Sequence, residues 1–309
     1  MNMQSEVSAS IESEYLIGKE LGRGGFGVIR LCTDKRNGQQ MACKTILKDN
    51  KGKEQNEVQI MQKLSDHMNV VKLHKVYEDK CFLHIVMEFC SGGTLLDAMK
   101  RELPQNGCYK EYEAAKIMKA LTIAIKNCHA IEVVHRDIKP ENILLTCDGQ
   151  LRLADFGLSL HCPKGEKLSG GVGSLFYVAP EMLLGTYTTK VDVWAAGVIL
   201  HVLLSGMLPF DGSNEDILQG IQRYEQLDFC AAEWRSVSWS AKDLLSKMLC
   251  KDVEKRLSAS EVLRHQWIKF YTDYVKMPRK QKDHIHIDFS KIPKKEKKQK
   301  SPLHISKSG

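Results

Sequence analysis

The sequence predicts an α+β fold with two lobes, a small antiparallel β lobe that carries one helix and a large, mainly helical lobe. In residues 15–47 apolar and polar residues alternate between glycines, which is typical of antiparallel strands. Residues 54–64 place apolar side chains at helical spacing, so one helix follows these strands. Further helical patterns in residues 95–101, 111–130 and 192–204 predict that the second lobe is mainly helical.

Composition limits the classes of protein to which the chain can belong. Its 309 residues are 43% hydrophobic and 27% charged, which is typical of a soluble globular protein. No apolar run approaches the ~20 residues that a membrane-spanning helix needs, so we expect no membrane span. The ten cysteines form no C-x-x-C pair, which indicates reduced thiols and a cytoplasmic or nuclear location, without a zinc site or disulfides.

The net charge of +7 is concentrated at one end of the chain. Residues 276–309 contain eleven Lys and Arg against three Asp and Glu, so residues 1–275 are nearly neutral. This distribution disfavours a nucleic-acid-binding surface on the folded part of the chain, and nucleic acid as a substrate.

A glycine-rich stretch lies within the predicted strands. It consists of Leu21, Gly22, Arg23, Gly24, Gly25, Phe26, Gly27, Val28 and Ile29. Glycines in this arrangement let backbone N–H groups approach phosphate oxygens. Dinucleotide-binding folds share the pattern, but there a helix begins at the glycines. Because residues 28–32 continue as a strand here, a β-hairpin above a phosphate group is favoured.

The segment 135–142, HRDIKPEN, combines side chains that suit phosphate chemistry. Asp137 can accept a proton and orient a hydroxyl group, and Lys139 can neutralise a phosphoryl group during transfer. Asn142 can bind a hard metal ion through its amide oxygen. Taken alone, the segment could also be a charged surface turn, so the interpretation depends on the motifs around it.

Those motifs, in order and spacing, resemble a eukaryotic protein kinase over residues 15–268. Lys44 follows the glycines, and Asp155 lies in an Asp-Phe-Gly triplet eighteen residues after Asp137. Lys139 and the block 173–181, which ends in Ala-Pro-Glu, are similar to serine/threonine kinases.

Three C-terminal segments narrow the resemblance. Residues 239–245, 256–259 and 265–268 are similar to the calcium/calmodulin-dependent group of kinases. Within this group, the chain resembles plant-type calcium-dependent kinases and the phosphoenolpyruvate-carboxylase-kinase-related branch.

The resemblance implies an active enzyme that transfers the γ-phosphoryl group of ATP to serine or threonine in protein substrates. Asp137, Lys139 and Asn142 would be catalytic, and Asn142 and Asp155 would bind Mg²⁺. Lys44 would contact the α- and β-phosphates and pair with Glu57. Glu54, one helical turn earlier, is the alternative partner of Lys44.

The resemblance also implies a site for the adenine ring between the lobes. Ile29 and Ala42 would line this pocket, with Met87 as the gatekeeper residue. Backbone groups of Glu88 and Cys90 would form hydrogen bonds with the base.

Two ion-pairing residues are expected to be structural. Glu181 would pair with Arg256 inside the large lobe. Asp192 would accept hydrogen bonds from backbone N–H groups of the HRDIKPEN segment.

The sequence departs from the kinase pattern at two places. Thr94 stands where basophilic relatives carry a glutamate that contacts a substrate arginine, so that preference is in doubt. Arg136 should bind a phosphate or carboxylate in the segment before Ala-Pro-Glu. However, the usual phosphothreonine position falls on Gly170, and the neighbouring Ser169 is a residue that could be phosphorylated instead.

Calcium regulation is not supported by the sequence. It contains no D-x-[DN]-x-[DN]-G loop, so we expect no direct calcium binding. Bulky apolar residues are sparse after Met277, which disfavours a calmodulin-binding helix.

The predicted organisation has three parts. Residues 1–14 form an extension, residues 15–268 the kinase domain, and residues 269–309 a basic, disordered tail. The domain divides into an N-lobe at 15–88, a hinge at 88–93 and a C-lobe at 94–268. A pseudokinase scaffold remains the rival class, and it predicts the loss of Lys44, Asp137, Asn142 or Asp155, all of which are present.

Overall fold

The structure is a computed structural model that describes residues 10–25, 27–48 and 53–274. The predictions for Phe26, for residues 1–9 and for residues 275–309 concern parts of the chain outside these ranges. Within the described residues, no helix is both long enough and apolar enough to cross a membrane.

The smaller lobe contains one antiparallel sheet, as the alternating sequence pattern predicts, and two helices where the sequence predicted one. The sheet has the strand order β1-β2-β3-β5-β4. Its elements are α1 (Ile11–Glu14), β1 (Tyr15–Gly24), β2 (Gly27–Asp34), β3 (Gln40–Leu47), α2 (Lys53–Leu64), β4 (Leu73–Glu78) and β5 (Phe82–Glu88). Helix α2 packs on this sheet through a buried apolar stripe, which includes Ile60, Met61 and Leu64. The spacing of that stripe fixes which side of α2 faces β3.

The larger lobe is mainly helical, with short strands of two or three residues that form three two-stranded sheets among the described residues. Its helices are α3 (Leu95–Asn106), α4 (Glu111–Ala130), α5 (Pro180–Leu183), α6 (Lys190–Ser205), α7 (Asn214–Arg223), α8 (Trp239–Met248), α9 (Ala259–Arg264) and α10 (Gln266–Lys269). Its strands are β6 (Val133–Val134), β7 (Ile143–Leu145), β8 (Leu151–Leu153), β9 (Leu160–His161), β10 (Leu168–Ser169) and β11 (Thr186–Tyr187). Helix α6 is buried along its whole length and forms the centre of the lobe with α4 and α8.

Described residues on both sides of the 15–268 range pack against the domain. Helix α1 precedes residue 15, and its Ile11 is buried against the sheet. After α10 a π-helical turn, Phe270–Tyr274, continues the chain, and Asp273 pairs with Lys119 at 2.7 Å. Residues 10–14 and 269–274 are therefore part of the fold, because each segment packs against the domain.

A buried ion pair joins the end of the 173–181 block to the large lobe, as predicted. The guanidinium group of Arg256 contacts both carboxylate oxygens of Glu181, at 2.5 and 2.9 Å. Arg256 also stacks against the ring of Trp194 and is 1% exposed. The bidentate geometry compensates for the removal of both charges from water.

We predict that Glu181→Gln lowers the free energy of unfolding by about 3–5 kcal/mol, because Arg256 would remain buried without a charged partner. Urea unfolding followed by circular dichroism would measure this loss. Glu225→Gln is the matched control, since the Glu225–Lys251 pair is exposed at the surface and should contribute less than about 1 kcal/mol. Equal losses in the two variants would contradict this account of the buried pair.

Candidate active site

Lys44 and Glu57 form a buried ion pair between the sheet and helix α2. The Lys44 ammonium lies 2.6 and 2.9 Å from the two Glu57 carboxylate oxygens. It also lies 2.8 Å from Oδ1 of Asp155 in the other lobe. Burial opposes the charge on Lys44, but the Glu57 and Asp155 carboxylates outweigh it and raise the pKa of Lys44 above its usual value. The structure therefore selects Glu57, and not Glu54, as the partner of Lys44.

The HRDIKPEN segment forms a compact network around Asp137, which is 5% exposed. Lys139 Nζ lies 2.7 Å from Asp137 Oδ2, and Asn142 donates its amide hydrogen to the same oxygen at 2.9 Å. The Ser174 hydroxyl donates to Asp137 Oδ1 at 3.0 Å and accepts from Lys139 at 2.9 Å. These contacts fix the orientation of a carboxylate next to an ammonium group, an arrangement suited to binding a hydroxyl group and an anion together.

Asp192 accepts hydrogen bonds from the backbone of the HRDIKPEN segment, as predicted. Its carboxylate accepts the backbone N–H groups of His135 and Arg136, both at 2.9 Å. It also contacts the ring of His129 at 2.9 Å. Burial opposes ionisation of Asp192, but these hydrogen bonds and the nearby histidines outweigh it and keep its pKa below the usual value. The carboxylate therefore sets the backbone path that presents Asp137.

Two residues of the site have backbone conformations that are rare for side chains other than glycine. Arg136 has φ 69° and Asp155 has φ 64°, both in the left-handed region. Such conformations persist when the surrounding contacts determine them, and they are common at functional sites. Here Asp192 fixes the backbone at Arg136, and Lys44 binds the side chain of Asp155.

Asn142 and Asp155 each retain an oxygen that suits a hard cation. Both amide hydrogens of Asn142 are used by Asp137, at its carbonyl and its carboxylate, which leaves the amide oxygen for another ligand. Asp155 uses Oδ1 for its contacts with Lys44 and the Gly157 N–H, while Oδ2 has none in the described part of the chain. Mg²⁺ commonly takes one or two protein oxygens and completes its shell with phosphate and water. Asn142 and Asp155 therefore fit Mg²⁺ in the presence of a phosphate substrate.

A cleft of about 470 Å³ lies beneath the glycine-rich hairpin. It is lined by residues of the hairpin, of β3, of α2 and of the Asp-Phe-Gly triplet, namely Arg23, Gly24, Gly25, Gly27, Val28, Ile46, Leu47, Glu54, Glu57 and Gly157. A Cβ at Gly22, Gly24 or Gly25 would meet no described atom within 4 Å, so these backbone groups are open to a ligand. Gly27 is required for a different reason, because its φ is +126° and a Cβ would lie 2.2 Å from the Thr45 carbonyl oxygen.

The predicted adenine site lies where β3 meets β5. Ala42 pairs with Met87 across these strands, and both side chains are 7% exposed. The Glu88 N–H is used by the Lys72 carbonyl, so only the Glu88 carbonyl is available to a base. The Cys90 N–H has no hydrogen-bond partner among the described residues. Ile29 lies two strands away from Met87 and packs against the core from β2.

Neutral oxygens hold the Arg136 side chain. Among the residues that the structure describes it contacts no carboxylate, and it donates to the Leu158 carbonyl at 2.6 Å and to the Tyr187 hydroxyl at 2.9 Å. Gly170 has φ +89° and carries no side chain that could reach Arg136, while Ser169 is exposed on β10. In the unphosphorylated chain neutral oxygens hold Arg136, and a phosphate partner stays a prediction.

The sequence motifs assign no role to three residues that the structure places in the site. They are Ser174 beside Asp137, Tyr187 beside Arg136, and Asn56, which donates to the Ser159 carbonyl at 2.9 Å. Only Ser174 lay in a motif, the 173–181 block, that could have indicated its importance. The preceding Gly173 is required by the fold, because its φ is +108° and a Cβ would lie 2.6 Å from the Arg136 carbonyl oxygen.

Comparison with known proteins supports the same interpretation. Residues 15–268 match the protein kinase domain family. The chain belongs to the protein kinase family. It is 51% identical over 275 residues to the serine/threonine-protein kinase PEPKR2 of Arabidopsis thaliana, an alignment that covers 88% of this chain and 57% of that protein.

Calcium-dependent kinases of plants are also similar. The chain is 44% identical over 275 residues to calcium-dependent protein kinase 24 of rice, Oryza sativa subsp. japonica, with 84% of this chain and 52% of that protein covered. It is 44% identical over 272 residues to calcium-dependent protein kinase 4 of Arabidopsis thaliana, with the same two shares covered. The chain thus spans about half the length of these relatives. These matches confirm the predicted protein kinase fold. They also confirm the resemblance of the kinase domain to serine/threonine kinases of the PEPKR2 and calcium-dependent kinase type.

Proposed function

We propose that this protein transfers the γ-phosphoryl group of ATP to serine or threonine hydroxyls of protein substrates, with Mg²⁺. The observation that carries the proposal is that both halves of the site are assembled in one conformation. Lys44 bridges Glu57 and Asp155 across the lobes, and Asp137 lies in its network with Lys139 and Ser174. A pseudokinase scaffold predicts the loss of Lys44, Asp137, Asn142 or Asp155, and all four are present.

The geometry supports a specific role for each residue. The glycine-rich hairpin and Lys44 would bind the phosphates, and Asn142 and Asp155 would bind the magnesium ions. Magnesium would neutralise charge on the β- and γ-phosphates. Asp137 Oδ1 would orient the substrate hydroxyl, in place of its present bond to Ser174, and would accept the hydroxyl proton. Lys139 would stabilise charge on the transferred group.

Substrate preference follows from the charges near the hinge. Thr94 and Asp97 are engaged with each other in a capping box at the start of α3, with Thr94 Oγ1 2.7 Å from Asp97 Oδ2. Thr94 therefore offers no charge to a substrate arginine. Glu141 is exposed next to Lys139 and is the acidic group through which we propose a moderate preference for basic substrates.

The proposal is tested with purified protein and three matched peptides that differ only in the acceptor, serine, threonine or tyrosine. Mass spectrometry would measure phosphorylation with Mg-ATP, in calcium–calmodulin and in a calcium chelator. We expect phosphorylation of the serine and threonine peptides, to the same extent in the two conditions. The reason is that the sequence contains no D-x-[DN]-x-[DN]-G calcium-binding loop. Phosphorylation of the tyrosine peptide, or activity only with calcium–calmodulin, would contradict the proposal.

A further inference from the structure

The guanidinium group of Arg136 is bound by two neutral oxygens. Nε donates to the Leu158 carbonyl at 2.6 Å, and Nη1 donates to the Tyr187 hydroxyl at 2.9 Å. Among residues 10–25, 27–48 and 53–274, the side-chain contacts of Arg136 include no carboxylate. A charged group that is only partly exposed needs hydrogen bonds to stay in one place, and here neutral groups supply them.

Tyr187 is well fixed for this role. It lies on β11, where the pairing of Leu168 with Tyr187 joins the strand to β10 of the 158–181 segment. Its side chain is 1% exposed, so the ring cannot turn into solvent without opening the core. The hydroxyl therefore points at Arg136 as a consequence of the packing of the ring.

The other hydrogen bond of Arg136 is made to residues 158–159, which have contacts in both lobes. The carbonyl of Leu158 binds Arg136 from the large lobe, and the carbonyl of the next residue, Ser159, binds Asn56 of helix α2 at 2.9 Å. Asn56 directly precedes Glu57, the partner of Lys44. A continuous set of contacts thus runs from Tyr187 through Arg136 and residues 158–159 to the helix that positions Lys44.

We propose that Tyr187 is a positioning residue whose hydroxyl takes the place of an acidic or phosphorylated partner of Arg136. Through Arg136 it fixes residues 158–159 against Asn56 and keeps α2 in the arrangement that pairs Glu57 with Lys44. The inference rests on the proposed phosphoryl transfer and adds that the protein is active without a phosphate on Ser169. Gly170 offers no side chain for that role, and Ser169 is exposed on β10.

The test is Tyr187→Phe, which removes only the hydroxyl group. The protein is first treated with phosphatase, and its intact mass confirms that it carries no phosphate. We expect kcat to fall about tenfold, the effect of losing one hydrogen bond to a charged group, while KM for ATP stays within about twofold. Tyr109→Phe is the matched control, because the buried Tyr109 hydroxyl has no hydrogen-bond partner among the described residues, and it should leave kcat unchanged.

A double-mutant cycle separates this role from a general loss of stability. If Tyr187 acts through Arg136, then Tyr187→Phe introduced into an Arg136→Met protein should change kcat by less than about twofold. The same tenfold fall in both backgrounds would overturn the proposal. Hydrogen exchange gives a readout that does not depend on activity, and amides at 157–161 should exchange faster in Tyr187→Phe than in the wild-type protein.

The outcomes also distinguish this inference from the proposed function. Wild-type protein that is active only after Ser169 is phosphorylated would overturn the role of Tyr187 and leave phosphoryl transfer intact. Unchanged kcat and unchanged exchange in Tyr187→Phe would do the same. Wild-type protein that transfers no phosphoryl group, with or without phosphate on Ser169, would overturn the proposed function and the inference with it.

Discussion

Replacement of Asp137 by asparagine is expected to lower kcat by about 10³-fold, with little change in the free energy of unfolding. Asparagine has nearly the same shape, so the contacts with Lys139 and Ser174 can persist in part. It cannot accept the proton of a substrate hydroxyl. The loss should therefore lie in kcat, while KM for ATP changes little.

Steady-state peptide phosphorylation and thermal unfolding would be measured together for this variant. Asp148→Asn is the matched control, because Asp148 is an exposed aspartate whose side chain contacts Thr146 away from the site. It should retain wild-type kcat. Activity of Asp137→Asn within tenfold of wild type would show that this carboxylate does not accept the proton.

Replacement of Lys44 by methionine is expected to remove measurable activity and also to destabilise the protein. Lys44 is 4% exposed, and its loss leaves the buried Glu57 carboxylate next to Asp155 without a cation. An uncompensated buried charge costs about 3–5 kcal/mol. ATP affinity should fall as well, because Lys44 is the cation that we propose binds the phosphates.

A second substitution separates these two effects. Lys44→Met combined with Glu57→Gln removes the more deeply buried of the two carboxylates that Lys44 pairs with, so the free energy of unfolding should recover in part while activity does not. Lys48→Met is the control on the same side of the sheet, since the Lys48–Glu78 pair is partly exposed. Recovered activity in the Lys44→Met, Glu57→Gln protein would show that Lys44 serves the fold and not the reaction.

The parts of the site that lie in one short segment could be predicted from the sequence. The glycine-rich hairpin and HRDIKPEN each specify their chemistry through residues within one turn or loop. The Lys44–Glu57 pair was also predictable, because the helical period places Glu57 on the side of α2 opposite its exposed positions. Sequence spacing alone left Glu54 as an alternative partner of Lys44. The 2.6 Å contact between Lys44 Nζ and Glu57 Oε1 decides for Glu57.

The contacts that join distant segments could not be predicted in the same way. Tyr187 lies fifty-one residues from Arg136, and Asn56 lies one hundred and three residues from Ser159. Neither has a local pattern that indicates its partner, since their pairing depends on how β11 and α2 pack. The contact of Arg136 with Tyr187 could not be predicted for the same reason, because the hydroxyl comes from another element of the fold.

The most direct test of the central claim is single-turnover transfer from γ-³²P-labelled ATP with enzyme in excess over a serine peptide. The account predicts that label appears on the peptide serine with Mg²⁺ and that none appears with EDTA. It predicts this for unphosphorylated protein in the absence of calcium. Tight binding of ATP without transfer of label to the peptide would contradict the account and favour a scaffold with a kinase fold.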